Sequence, residues 1–230
     1  MCGRYVTKDQ RAIERELPYI DVVRWPDLEA RFNVSPSQGV PVVRWSRTDG
    51  LYEGTMMRWG LVPFFARGVA PKYSTINARI ESIDTSAAYR GPWKRAQRCV
   101  LPASGFYEWH LNEAGVRQPF YLQLADQEVF GFAGLWDRSE GPNGVIQSCT
   151  LITMPANPLL RQIHNVQQRM PAILRQSDHT AWLRGDAAQA RAALIEYPAE
   201  AMVAWPVSSR VNSPRHEGPG LIDPLVAQPP

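Results

Sequence analysis

Cys2 stands beside the initiator in Met1-Cys2-Gly3-Arg4-Tyr5, and removal of Met1 would leave one residue carrying both a thiol and an α-amine. The reference pKa of an α-amine is about 7.7–8.0 against about 10.4 for lysine, so roughly a tenth of it is reactive free base at neutral pH. A 1,2-aminothiol condenses with aldehydes: the amine forms a Schiff base and the thiol closes it to a thiazolidine ring. The competing reading is an ordinary thiol at a frayed terminus.

Four further segments hold groups that could serve such chemistry. In Gly105-Phe106-Tyr107-Glu108-Trp109, strand alternation puts Phe106 and Glu108 on one face and Tyr107 and Trp109 on the other. Glu108 then either faces solvent or sits in an apolar pocket, where its pKa would rise into the acid/base range. His164 falls at the end of a short helix, as a C-terminal cap or a proton-transfer group. Asn77-Ala78-Arg79 offers an amide for an amine or carbonyl and a guanidinium for phosphate, or a turn with a surface ion pair. Arg169 is read as a phosphate ligand or a salt-bridge partner. Tryptophans near basic residues (Trp45, Trp59, Trp93 and Trp109) suit stacking on unpaired bases, or simply a core. No zinc-type spacing, phosphate loop or nucleophile elbow is present.

The elements that must position these groups are short. Thr7-Lys8-Asp9-Gln10 reads as a capping box opening a helix to about Leu17, stopped by Pro18. Residues 21–37 read as an irregular loop. Strand-like segments follow at 40–45, 55–59, 98–102, 105–109, 120–124, 129–133 and 149–153, with a last one at 202–207. Asn157-Pro158 predicts a capped helix running to about His164. Two more helices are expected at 177–183 and 186–195, the second opened by an Asp186/Gln189 capping box. The pattern predicts an α+β fold in a single domain, its mostly antiparallel sheet folded into a barrel-like core with peripheral helices. From Ser208 the chain is rich in Pro, Gly and Ser, so its end is expected to be mobile.

The 230 residues are 44% hydrophobic and 20% charged, with a net charge of +3, which permits nucleic-acid binding without requiring it. Arginine far outnumbers lysine, of which there are only Lys8, Lys72 and Lys94. That skew suits bidentate phosphate binding and equally a GC-rich genome. No 18-residue apolar run or basic-then-apolar leader is visible, so no membrane association and a cytoplasmic location are expected. Cys99 and Cys149 lie in strand-like apolar stretches and read as buried and inert, leaving Cys2 as a free thiol.

Taken together, Met-Cys-Gly-Arg-Tyr, Arg58-Trp59-Gly60-Leu61-Val62-Pro63, Asn77-Ala78-Arg79, Arg98-Cys99-Val100-Leu101-Pro102-Ala103 before Gly105–Trp109, and Ile163-His164-Asn165 with Arg169-Met170-Pro171 resemble the SRAP family, the SOS-response-associated peptidases or abasic site processing proteins. The resemblance runs from Cys2 to about Pro214. It implies an SRAP-like domain over 1–214, and the composition beyond it predicts a mobile C-terminal tail over 215–230. It further implies that Cys2 attacks the ring-opened aldehyde of an abasic site in single-stranded DNA and ends as a thiazolidine crosslink. Asn77 would position the amine or sugar, Glu108 would shuttle protons, and His164 would assist proton transfer at the sugar hydroxyl and reversal. Arg4 and Arg79 would hold phosphates, with Arg169 a further DNA contact, and Trp59 and Trp109 would line the DNA groove. A lyase activity through the Schiff base and self-cleavage exposing Cys2 are implied as well, with no metal or other cofactor. The protein is expected to be monomeric and nucleoid-associated when bound to DNA. One departure is visible: Val166-Gln167-Gln168 intervene where many members join the histidine almost directly to Arg-Met-Pro. Two other readings stay open, an N-terminal-nucleophile cysteine peptidase and a non-covalent single-strand binding module.

Overall fold

The computed structural model describes residues 2–225. Its strands are β1 (Tyr5–Thr7), β2 (Val22–Val23), β3 (Arg31–Val34), β4 (Gly39–Ser46), β5 (Leu51–Trp59), β6 (Asn77–Arg79), β7 (Arg98–Ala103), β8 (Gly105–Leu111), β9 (Arg117–Leu124), β10 (Phe130–Gly141), β11 (Gly144–Pro155), β12 (Arg169–Pro171), β13 (Ile173–Leu174) and β14 (Met202–Pro206). The helices are α1 (Gln10–Glu16), α2 (Arg90–Lys94), α3 (Pro158–Ile163), α4 (His179–Arg184) and α5 (Ala187–Ala192).

Five strands close on themselves. β5 pairs β4, β4 pairs β7, β7 pairs β10 and β10 pairs β11, all antiparallel. A parallel contact between β11 and β5, Ser148 opposite Arg58 and Cys149 opposite Trp59, completes the ring. Closure removes the free edges that an open sheet would expose. The inward residues are apolar, with Val42, Leu101, Phe132 and Leu151 fully buried.

A second, wholly antiparallel sheet runs β14-β9-β8-β1-β3. It leaves the barrel where β7 passes through Ser104 into β8, and the Ser104 amide donates to the Val6 carbonyl at 2.8 Å. Gly105 is required at this corner, because a Cβ there would lie 2.2 Å from the Tyr121 hydroxyl. One face of the sheet meets the barrel: Tyr5 packs edge-on against Trp59 and Phe132, with ring centroids 5.3 and 6.0 Å apart. The other face carries Val6, Tyr107 and Tyr121 in a separate apolar cluster with Val207 and Val211. The alternation expected in β8 is therefore present, Phe106 and Tyr107 serving different cores.

The local chemistry departs from expectation in four places. The cap of α1 is Asp9, whose side chain accepts from the Ala12 amide; Thr7 belongs to β1 instead. The 21–37 stretch contains β2 and β3, because Val22–Val23 pairs with β5 and Arg31–Val34 with β1. β10 and β11 form a continuous hairpin, longer than the apolar segments 129–133 and 149–153, since its outer half is polar and carries little strand signal. Finally, residues 215–225, expected to be mobile, are packed: Leu221 is buried and the Trp205 indole donates to the Ile222 carbonyl at 2.7 Å. The rest of that expected tail, 226–230, lies outside the described residues. The Asn157 cap of α3 and the Asp186/Gln189 capping box of α5 are as expected. Among the described residues no helix is long and apolar enough to cross a membrane.

Candidate functional site

The amino-terminal segment is held along β8. Tyr5 pairs with Phe106, and the Tyr107 amide donates to the Arg4 carbonyl at 3.0 Å. This brings Cys2 into the field of Glu108 and buries it, 1% exposed. From the other side, the Asn77 amide donates to the Cys2 carbonyl at 2.9 Å. Asn77 is placed by the parallel pairing of β6 with β11, Asn77 opposite Leu151, and the Tyr89 hydroxyl donates to its carbonyl at 3.1 Å.

Glu108 is 1% exposed on the barrel-facing side of β8, so of its two readings the apolar pocket is the one realised. Burial pushes its carboxyl up to about 8. His164 caps the C-terminal end of α3 and places Nε2 3.7 Å from Glu108 Oε2. Its Nδ1 lies 2.9 Å from the Arg169 carbonyl. A carbonyl only accepts, so Nδ1 carries the proton and Nε2 presents its lone pair toward Glu108. Burial lowers the imidazole pKa below its usual value. Near neutrality the pair thus holds its proton on the carboxyl, the reverse of an ordinary ion pair. Asn165 locks α3 to β8 through two bonds with Leu111, amide to side chain at 3.0 Å and side chain to carbonyl at 2.8 Å.

The Cys2 thiol is raised well above its ordinary pKa, by burial first and by the Glu108 carboxylate second. It is a neutral thiol until a base accepts its proton. Beside the Glu108–His164 pair lies a small pocket of about 100 Å³ whose lining includes Trp109, Arg117 and the inserted Val166 and Gln167. The insertion therefore shapes the site's entrance. Among the described residues no three His, Cys, Asp or Glu side chains gather as a metal site would need.

Cys2, Asn77, Glu108 and His164 are thus brought together, while the expected DNA contacts divide. Arg79 is exposed on β6, and Arg4 is half-buried, donating to the Gly3 and Asn212 carbonyls at 3.1 and 3.4 Å. Trp109 is half-buried, its indole donating to Asn212 Oδ1 at 2.8 Å. Trp59 is fully buried, with its indole on the Ile76 carbonyl at 3.0 Å, so it is a core residue with no surface for a base. Arg169 is committed internally: its fork meets both Glu81 oxygens at 2.5 and 3.0 Å, and the Thr153 carbonyl at 2.7 Å. Of the two readings of Arg169, the salt bridge is realised.

The residues overlooked in the sequence are instructive. Tyr89, Arg117 and Asn212 support or border the site through contacts that no local motif announces. Phe64 and Phe65, 54% and 49% exposed in the loop after the Trp59 motif, are aromatics that face solvent. Their adjacency to Pro63 in a loop was a legible signal.

Residues 1–214 match the family model described as SOS response associated peptidase (SRAP). Abasic site processing protein YoqW of Bacillus subtilis is 33% identical over 235 residues, spanning 97% of this chain and 99% of that protein. Abasic site processing protein HMCES of Gallus gallus is 32% identical over 194 residues, covering 74% of this chain and 56% of that one. A crystal structure of a protein from Bacteroides thetaiotaomicron superposes with a TM-score of 0.82 at 26% identity, over 98% of this chain and all of the other.

Proposed function

The chain belongs to the SOS response associated peptidase (SRAP) family, and from that membership we propose that it processes abasic sites in single-stranded DNA by capturing them as a thiazolidine on Cys2. The observation that carries the reading is the surroundings of Cys2: Asn77 on its carbonyl, and a protonated carboxyl and a neutral imidazole beside it.

Loss of Met1 frees the α-amine, which adds to the C1 aldehyde of the ring-opened sugar. The resulting carbinolamine must lose its hydroxyl. Glu108, protonated at neutral pH, gives it a proton, water leaves, and an iminium stands beside the Glu108 carboxylate. The Cys2 thiol then adds to the iminium carbon and passes its proton to that carboxylate. Glu108 returns to its starting state, and the overall reaction is amine plus thiol plus aldehyde to thiazolidine plus water. A carboxyl near 8 suits both directions of transfer. His164, with its lone pair toward Glu108, serves the sugar hydroxyl during ring opening and reversal. Left uncaptured, the iminium would acidify the neighbouring carbon and permit β-elimination, the lyase branch. Arg79 and Arg4 supply backbone phosphate contacts.

An abasic oligonucleotide incubated with purified protein gives a heat-stable adduct on a denaturing gel, and Cys2→Ala removes it. An equally stable adduct in Cys2→Ala overturns the proposal. Intact mass establishes in parallel whether Met1 is absent from the reacting protein.

A further inference from the structure

A second constellation lies at the opposite end of the barrel. β8 and α3, which carry Glu108 and His164, continue from the Ala103 end of β7 and the Pro155 end of β11. At the other strand ends, a pocket of about 490 Å³ is bordered by Arg44 and Trp45 of β4, Arg47 beyond it, Arg95, Gln97 before β7 and Trp136 of β10. Along β11 the stretch from Cys149, opposite Trp136, to Pro155 spans roughly 20 Å. The volume is within the usual range for small-ligand sites, about 300–1,000 Å³.

Its chemistry is one-sided. Three arginines border it and no carboxylate does. Arg44 is bound to Glu53 at 3.0 Å and Arg95 to Asp137 at 3.0 Å, while nearby Asp49 is turned onto Ser46 at 2.6 Å. Arg47 is exposed and has no ion pair among the described residues. Next to Gln97 in the chain, Arg98 is buried, held by the carbonyls of Gly185 and Asp186, and among the described residues its Nε has no hydrogen-bond partner. Burial, and then the proximity of Arg47, lowers its pKa to about 10. An anion at Arg47 would offset the charge that Arg98 feels from it.

The pocket also has aromatic walls already polarised by cations. The Arg44 guanidinium lies 4.4 Å from the Trp136 ring centre and that of Arg184 4.3 Å from Trp45. Ala96, on the rim, is held at a left-handed φ of 50° that alanine rarely adopts. We propose that this barrel mouth is a second binding site, which takes a nucleotide with its base against Trp45 and Trp136 and its phosphate at Arg47 and Arg95. The site is separate from the chemistry at Cys2.

The test titrates the full-length protein with deoxyadenosine monophosphate, followed by tryptophan fluorescence and calorimetry. Deoxyribose 5-phosphate and an Arg47→Ala variant are measured alongside. The expected result is saturable binding that weakens about tenfold without the base and about tenfold in Arg47→Ala. Arg47 is exposed, so that variant folds, and its adduct yield with an abasic oligonucleotide stays at the wild-type level. Absence of saturation into the millimolar range, or equal affinity in Arg47→Ala, overturns the proposal, as does equal affinity for the base-free sugar phosphate. Loss of the Cys2 adduct in Cys2→Ala with nucleotide binding intact tells the two sites apart. An intact oligonucleotide that displaces the mononucleotide assigns the site to a DNA strand, and one that does not assigns it to free nucleotides; either result supports the proposal.

Discussion

Glu108 and Glu81 stand on two sides of Arg169 and behave oppositely. The Arg169 carbonyl holds His164, which faces Glu108, whereas the Arg169 guanidinium grips Glu81. Glu81 is half exposed and its hydrogen bond to Arg169 holds it below the ordinary carboxylate range. Glu108 is buried beside an imidazole rather than a guanidinium, and burial raises it to about 8. The difference is in the partner. A permanently charged arginine fixes a carboxylate as an anion and makes it a tie, while a histidine lets the proton move and makes the carboxyl a reagent.

The largest expected effect breaks or upholds that contrast directly. Glu108→Gln keeps the shape but cannot cycle a proton, so single-turnover adduct formation at pH 7 slows by on the order of 10²–10⁴-fold. Glu81→Gln leaves the rate within a few-fold, because the half-exposed Glu81 carboxylate ties Arg169 and moves no proton in the reaction. Equal slowing by both variants, read from gel time courses, would dissolve the distinction.

A smaller effect appears in stability against pH. Glu108 binds its proton more tightly when folded, about 8 against 4.5. Its stabilising contribution is complete below pH 4.5 and is lost as pH rises toward about 8. Glu81, depressed in the fold, contributes above its ordinary value and loses that contribution as pH falls through its folded value. Denaturant midpoints followed from acid to alkaline pH therefore lose their neutral-range slope in Glu108→Gln and only a slight acid-range slope in Glu81→Gln. Slopes of the same sign would contradict the assignment.

The smallest effect concerns Arg79, exposed where Arg169 is enclosed. Arg79→Ala weakens single-strand binding a few-fold and lowers the salt dependence by about one ion per site. An unchanged salt slope in fluorescence anisotropy removes Arg79 from the phosphate contacts.

How much of this was legible follows from the range of each interaction. The Asn157 and Asp186 caps act within three residues and are readable in the sequence; so is the α+β class, from its strand and turn rhythm. The Glu108 position is legible as an alternation but not as a pKa, because burial is set by β1 and α3 docking from distant parts of the chain. Ring closure through the parallel β11–β5 contact leaves no periodic trace, since both strands already read as ordinary apolar strands. Arg169 is ambiguous because its partner Glu81 is 88 residues away. Trp59 misleads for a related reason: a tryptophan beside arginine and glycine has the composition of a stacking surface, and only Tyr5 docking on it makes it core.

The placement of β1 between β8 and β3 in the second sheet also sets a timetable. Its partner β8 begins only at Gly105, about 100 residues after Tyr5. At about 5–20 residues per second of synthesis, the start of the chain waits roughly 5–20 s before that strand exists. Throughout this interval Cys2 has no Glu108 beside it and no sheet over it, and an aminopeptidase working at the ribosome can reach Met1. An aminopeptidase acting in that interval would trim the nascent chain while it is still open, and the sheet would then close over a residue already made reactive.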